Sequence, residues 1–221
     1  MAKVFAITNQ KGGVGKTTTS VNLAASLAAT RRRILLVDLD PQGNATMGSG
    51  ISKNEIENTA YELLTKKASI EEVLARSELG KYDVIPANGD LTAAEVELLN
   101  EIGREYRLKK VLADVRDNYE FILIDCPPSL NMLTVNALAA ADGVLIPMQC
   151  EYYALEGLAA LMSTVEQIKE TVNPDLEITG ILRTMYDPRN SLTRDVSSEL
   201  KEYFGDKLYK VAIPRNVRLA E

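Results

Sequence analysis

The sequence has no histidine, no tryptophan and only two cysteines, Cys126 and Cys150, in 221 residues. Without histidine, Ser-His and Cys-His nucleophile arrangements are excluded. Two lone cysteines cannot close a structural zinc site. Acid–base chemistry therefore falls to carboxylates, lysines or a positioned water. So few cysteines fit a reducing cytoplasm, where no disulfide between them is expected. Long apolar runs are also missing: none approaches the ~18 residues that a membrane span needs. The N-terminal Met1-Ala2-Lys3 enters a strand-like run directly, so no signal peptide is expected. Excess basic charge is absent as well. The net charge of −6 argues against a surface that coats nucleic acid everywhere. The balance is uneven, however: from Arg183 to Glu221 there are eight Lys/Arg against six Asp/Glu.

What is present is an α/β pattern. The length suits one domain with a sizeable core. Apolar runs predict strands at Lys3 to Thr8, Ile34 to Val37, Tyr82 to Pro86, Phe121 to Ile124, Gly143 to Pro147, Ile178 to Leu182 and Leu208 to Ile213. Helical spacing predicts helices at Thr17 to Thr30, Ala93 to Val115 with a break near Gly103, Met132 to Ala141, Leu155 to Thr171 and Leu192 to Phe204. This alternation implies a mostly parallel twisted sheet with helices on both faces. Ligands in such sheets sit at the carboxyl ends of the strands, where this sequence places its notable polar residues.

Three segments carry the chemistry. In Lys11-Gly12-Gly13-Val14-Gly15-Lys16-Thr17-Thr18 the second half of a P-loop pattern is complete, while Gln10 stands where the first glycine would be. Glycines let successive backbone N–H groups point at phosphate oxygens, and the helix that follows adds its positive end. Lys16 supplies charge to the outer phosphates, and the Thr17 hydroxyl suits Mg²⁺. A plain Gly-rich turn is the bland alternative; the strand before and helix after argue against it. The second segment is Asp38-Leu39-Asp40-Pro41-Gln42-Gly43-Asn44. Two acids two residues apart at a strand end are expected to face one side. Beside a phosphate loop, positioning a water is their sensible use; alone, they would read as a solvated Asp-Pro turn. The third is Phe121 to Pro128, where four apolar residues end in Asp125, a carboxylate placed for the Mg²⁺ shell. Cys126 beside it reads as a packing residue.

Together these segments resemble the ParA/Soj/MinD class of P-loop NTPases with a deviant Walker A motif, and most closely the short ParA (Soj) proteins of bacterial DNA segregation. Pro147 to Gly157 and Ile213-Pro214-Arg215-Asn216 also match, so the similarity covers the whole chain. The resemblance implies an ATPase that uses ATP and Mg²⁺ and forms an ATP-dependent homodimer. Lys11 would be catalytic by reaching the partner's phosphates, as an arginine finger does, and Gly12 would lie at the dimer face. Lys16 would hold phosphate and Asp40 would position the water. Thr17, Asp38 and Asp125 would surround the metal. Residues 11–18 would bind ATP, with Met185, Asp187, Pro214, Arg215 and Asn216 around the adenine. Arg189 and Arg218 would touch double-stranded DNA without sequence preference. The partner would be a ParB/Spo0J-like centromere-binding protein, with a cytoplasmic, nucleoid-associated location and no membrane attachment.

The chain reads as a single ATPase domain, 1–221, expected to lack a C-terminal helical end. The main alternative is a MinD-like membrane ATPase, which needs a C-terminal amphipathic helix. An iron–sulfur reductase would need two exposed cluster cysteines, which Cys126 and Cys150 match poorly. A metabolic kinase or ligase would need an acceptor pocket for which no residues argue.

Overall fold

The structure is a computed structural model describing residues 1–216. Eight strands form one sheet in the order β3-β4-β2-β5-β1-β6-β7-β8. They are β1 (Lys3–Ile7), β2 (Ile34–Asp38), β3 (Ala75–Ser77), β4 (Tyr82–Ile85), β5 (Phe121–Asp125), β6 (Gly143–Gln149), β7 (Glu177–Tyr186) and β8 (Leu208–Pro214). Only β3 runs antiparallel, pairing Ala75 with Val84 at the sheet edge. The other pairings are parallel, which requires crossovers, and helices supply most of them. The helices are α1 (Lys16–Ala29), α2 (Asn44–Gly48), α3 (Ala60–Leu64), α4 (Ile70–Val73), α5 (Leu91–Leu98), α6 (Arg107–Ala113), α7 (Met132–Ala140), α8 (Ala154–Thr171) and α9 (Ser191–Phe204).

Strand residues divide between the two faces by alternation. Leu35 and Val37 of β2, with Ile122 and Ile124 of β5, enter the larger core beneath α5 to α8. Ile34, Leu36 and Leu123 point the other way, into a smaller core against Ala24 of α1. Lys16, Ser20 and Ala24 recur every fourth residue on α1 and are its buried positions. The helix therefore lies on the sheet with one polar corner, at its first turn, turned inward beside the ends of β1 and β5.

The expected alternation of strands and helices is present. The predicted helix over 93–115 is two helices: α5 ends at Leu98, and Gly103, at φ +68 in a left-handed conformation, opens the 3-10 turn of residues 104–106 that leads into α6. β7 runs four residues past the predicted Leu182, because Arg183 and Thr184 continue the ladder opposite Met148 and Gln149.

Candidate functional site

The central strand β1 ends under the loop of residues 8–15, and α1 starts at Lys16. Gly13 (φ +74) and Gly15 (φ +88) take left-handed conformations that a side chain would strain, which lets the backbone curl back over the helix start. Neighbouring strands brace the loop. The Asn9 amide Nδ2 donates to the Pro147 carbonyl at 2.8 Å, and Asn9 Oδ1 accepts from the Lys11 N–H at 2.9 Å. The buried Thr184 hydroxyl donates to the Val14 carbonyl at 2.7 Å.

Lys16 is only 7% exposed, and its Nζ donates to one described acceptor, the Lys11 carbonyl at 3.1 Å. An ammonium has three N–H bonds to give. Lys16 thus holds unused donors inside a curl of backbone, a fit for a polyanion. Burial lowers its pKa, and the nearby Asp125 partly offsets that shift.

Asp125 closes β5 and is fully buried. Its Oδ2 accepts from the Thr17 hydroxyl and its Oδ1 from the Ser20 hydroxyl, each at 2.7 Å. Burial pushes its carboxyl up to about 7, with Asp38 adding like-charge repulsion. Asp38 stands in register beside it and is also buried, which raises its carboxyl to about 6. Its oxygens serve its own loop: Oδ1 accepts from the Asp40 N–H at 3.1 Å. Oδ2 accepts from the Thr46 N–H at 2.8 Å and the Thr46 hydroxyl at 2.7 Å.

β2 ends at Asp38, so the strand alternation read from the sequence does not extend to Asp40; both carboxylates still repel that of Asp125. Asp38 turns into the protein, while Asp40 lines the cavity. Asp38 accepts three protein hydrogen bonds that organise the Asp40 loop, while Asp125 is the carboxylate that accepts from Thr17.

A cavity of about 1170 Å³ opens beside the loop. Gly12, Gly13, Gly15, Lys16, Thr17, Thr18 and Asp40 line it; Val14 is buried. Met185, Pro214, Arg215 and Asn216 line the same cavity. Met185 holds φ +47, unusual for a non-glycine residue, where the β7–β8 register shifts. Asp187, expected near the adenine, pairs its carboxylate with Arg189. The Arg189 guanidinium donates to it through Nε at 2.9 Å and Nη2 at 2.8 Å. That fork holds the Asp187 carboxyl down at about 2 and gives Arg189, the arginine expected to meet DNA, a carboxylate partner on its own loop. Arg218 lies outside the described residues.

Lys11 pairs with the Glu151 carboxylate. Gly12 is exposed, and a Cβ built on it meets nothing within 4 Å. Cys126 and Cys150 are both free and buried, and burial pushes both thiols up, which suits packing rather than attack. Among the described residues no group of three or more His, Cys, Asp or Glu is placed to hold a metal. The oxygen set at Thr17 and Asp125 instead matches Mg²⁺, a cation commonly held by one or two carboxylates and substrate phosphates. Among the described residues no helix is long and apolar enough to cross a membrane.

Sequence reasoning missed Ser20, Thr46, Thr184, Asn9 and Glu151. Ser20 could have been found, since it lies one helical turn after Thr17. Thr46 and Thr184 reach the site only through the fold and leave no local signal.

Comparison with known proteins agrees with this geometry. A family model described as an AAA domain matches residues 2–178. Soj of Bacillus subtilis, named a sporulation initiation inhibitor protein, is 55% identical across all of this chain and 87% of its own length. The chromosome partitioning protein ParA of Caulobacter vibrioides is 51% identical over 99% of this chain and 83% of its own. Among solved structures, a Mycobacterium smegmatis protein named cobyrinic acid a,c-diamide synthase, with bound ATP analogue and magnesium, superimposes with TM-score 0.93. It is 39% identical, with coverage of 98% of this chain and 88% of that one. A plasmid partition protein of Borrelia burgdorferi bound to AMPPNP gives TM-score 0.83 at 27% identity, covering 99% and 87%. With relatives this similar over nearly its whole length, the chain belongs to the ParA/Soj family of chromosome-partitioning proteins.

Proposed function

We propose that this chain is an Mg-ATP-dependent ATPase that dimerises around ATP, binds duplex DNA without sequence preference as the dimer, and segregates chromosomes or plasmids with a ParB-type partner. The observation that carries the reading is the buried Asp125–Thr17–Ser20 cluster beneath a loop in which Lys16 keeps spare donors. The relatives named for partitioning, and the neighbours holding ATP analogues, support it.

In this mechanism Lys16 and the backbone N–H groups of residues 12–17 bind the outer phosphates. Mg²⁺, held by Thr17 and Asp125, would neutralise part of their charge. Asp38 keeps the Asp40 loop in place through Thr46 and the Asp40 N–H. The Asp40 carboxylate, at the cavity wall, orients a water toward the terminal phosphate. Met185, Pro214, Arg215 and Asn216, which line the same cavity, surround the base. Lys11 of each protomer reaches the nucleotide of the other, and Gly12 leaves room for that approach. ATP binding thereby doubles whatever basic surface a protomer offers, which lets a chain of net charge −6 bind a polyanion conditionally.

The synthase name of the Mycobacterium smegmatis neighbour raises a second reading, a ligase that amidates a carboxylic acid, at 39% identity against 55% for Soj. ATPase activity measured with and without duplex DNA and a ParB-type protein separates the two. Stimulation by DNA with partner supports partitioning. Hydrolysis that is indifferent to both and appears only with a small-molecule acceptor would favour the ligase.

A further inference from the structure

The Lys11 ammonium pairs with the carboxylate of Glu151, in the turn between β6 and α8. The turn is locally fixed: the Glu151 N–H donates to the Gln149 carbonyl at 2.9 Å, and the Glu151 carbonyl accepts from the Ala154 N–H at 3.0 Å. Asn9 ties the phosphate loop to the end of β6 through Pro147, and to Lys11 through its backbone N–H. Loop and turn are thus held together, and Glu151 stands within reach of Lys11 with no rearrangement. The Lys11 ammonium is thus engaged by Glu151, whereas the Lys16 ammonium donates to the Lys11 carbonyl within the phosphate loop. Both partners are nearly half exposed, at 44% and 43% of their side chains.

We propose that Glu151 is a positioning residue for Lys11: it holds the lysine on its own protomer until a second, nucleotide-loaded copy offers a stronger anion. The inference rests on the dimer reading above. A carboxylate carries one negative charge, whereas the outer phosphates of a nucleoside triphosphate carry more, so the exchange is favourable only when the partner is loaded. The hold must be weak enough to release. An exposed ion pair shifts an equilibrium by about 1.4- to fivefold. A symmetric dimer opens two such pairs, and independent factors multiply, so the hold should weaken dimerisation by about two- to 25-fold at low salt. Salt screens exposed pairs, so this penalty should shrink as ionic strength rises.

The test measures dimer dissociation constants by sedimentation with Mg-ATP, at low and high salt, in the hydrolysis-blocked Asp40→Ala protein. Adding Glu151→Gln should tighten the dimer by about two- to 25-fold at low salt and by much less at high salt. Glu151→Asp, which keeps the charge, should stay close to the parent. Thermal unfolding of each protein checks that the fold is intact. A Gln variant that dimerises no better than its parent, or whose gain is the same at both salts, overturns the hold while leaving the dimer intact. A parent that stays monomeric with ATP removes the dimer reading itself, and the hold falls with it.

Discussion

Replacing Asp125 by Asn should stabilise the nucleotide-free protein at pH 8 while destroying its response to Mg-ATP. Asp125 is buried with a carboxyl raised to about 7. A folded-state pKa above the unfolded value means that the folded protein binds the extra proton between those values. Stability should therefore be greatest at the acid end and fall as pH rises from about 4 to about 7. Asp38, raised to about 6, acts in the same direction over a narrower window. A rise of roughly three units corresponds to about 4 kcal/mol lost by pH 8. Part of that is returned, because the Asp125 charge also supports the neighbouring Lys16 ammonium. A net gain of about 2 kcal/mol for Asp125→Asn is the reasonable expectation. The hydrogen bonds survive the change. Thr17 can still donate to the amide oxygen, and the Ser20 hydroxyl can accept from the amide N–H while donating to the Lys16 carbonyl, already 3.0 Å away. Urea unfolding followed by circular dichroism should show the midpoint rising by roughly 0.7–1 M for a urea dependence near 2–3 kcal/mol per M. The wild-type midpoint should drop between pH 5 and 8, and the variant's much less. A variant less stable than wild type at pH 8, with the same pH profile, would refute the uncompensated charge.

Three further outcomes follow from the same geometry. Lys16→Ala should weaken ATP binding by about 100-fold or more in calorimetry, because charge-assisted bonds inside the backbone cradle are lost. Gly12→Val should bind ATP normally yet stay monomeric in light scattering; a Cβ at Gly12 meets nothing within the protomer, so a defect has to come from a second copy. Asp187→Asn should strengthen duplex binding by the ATP-bound protein, because it frees the Arg189 guanidinium from its fork. The salt slope should steepen by about 0.9 per recruited phosphate contact; unchanged binding and slope would place the DNA face away from Arg189.

Much of this was legible because parallel strands buried on both faces read as unbroken apolar runs. Ile34 to Val37 and Phe121 to Ile124 show themselves that way, and each run ends on a carboxylate of the site. The edge strand Ala75–Ser77 gave no such signal, being three residues long with an arginine at its centre. The short α3 and α4 fall below the length at which periodicity is visible, although Thr59…Glu62 and Ser69…Glu72 are capping boxes that mark their starts. In the site, the residue types were readable and their orientations were not. Asp38 and Asp40 look equivalent in sequence, but one closes a strand and the other opens a loop. The pairings of Asp187 with Arg189 and Lys11 with Glu151 depend on how loops return, which spacing does not report.

The most direct test of the dimerising ATPase is the mass of the Asp40→Ala protein in solution with Mg-ATP and with Mg-ADP, measured by light scattering after gel filtration. Removing the carboxylate that orients water should slow hydrolysis by about 100-fold or more without loss of ATP binding. The mass should then double with ATP and remain that of one protomer with ADP. A protein that binds ATP, hydrolyses it at the wild-type rate and stays monomeric would contradict both the role of Asp40 and the dimer.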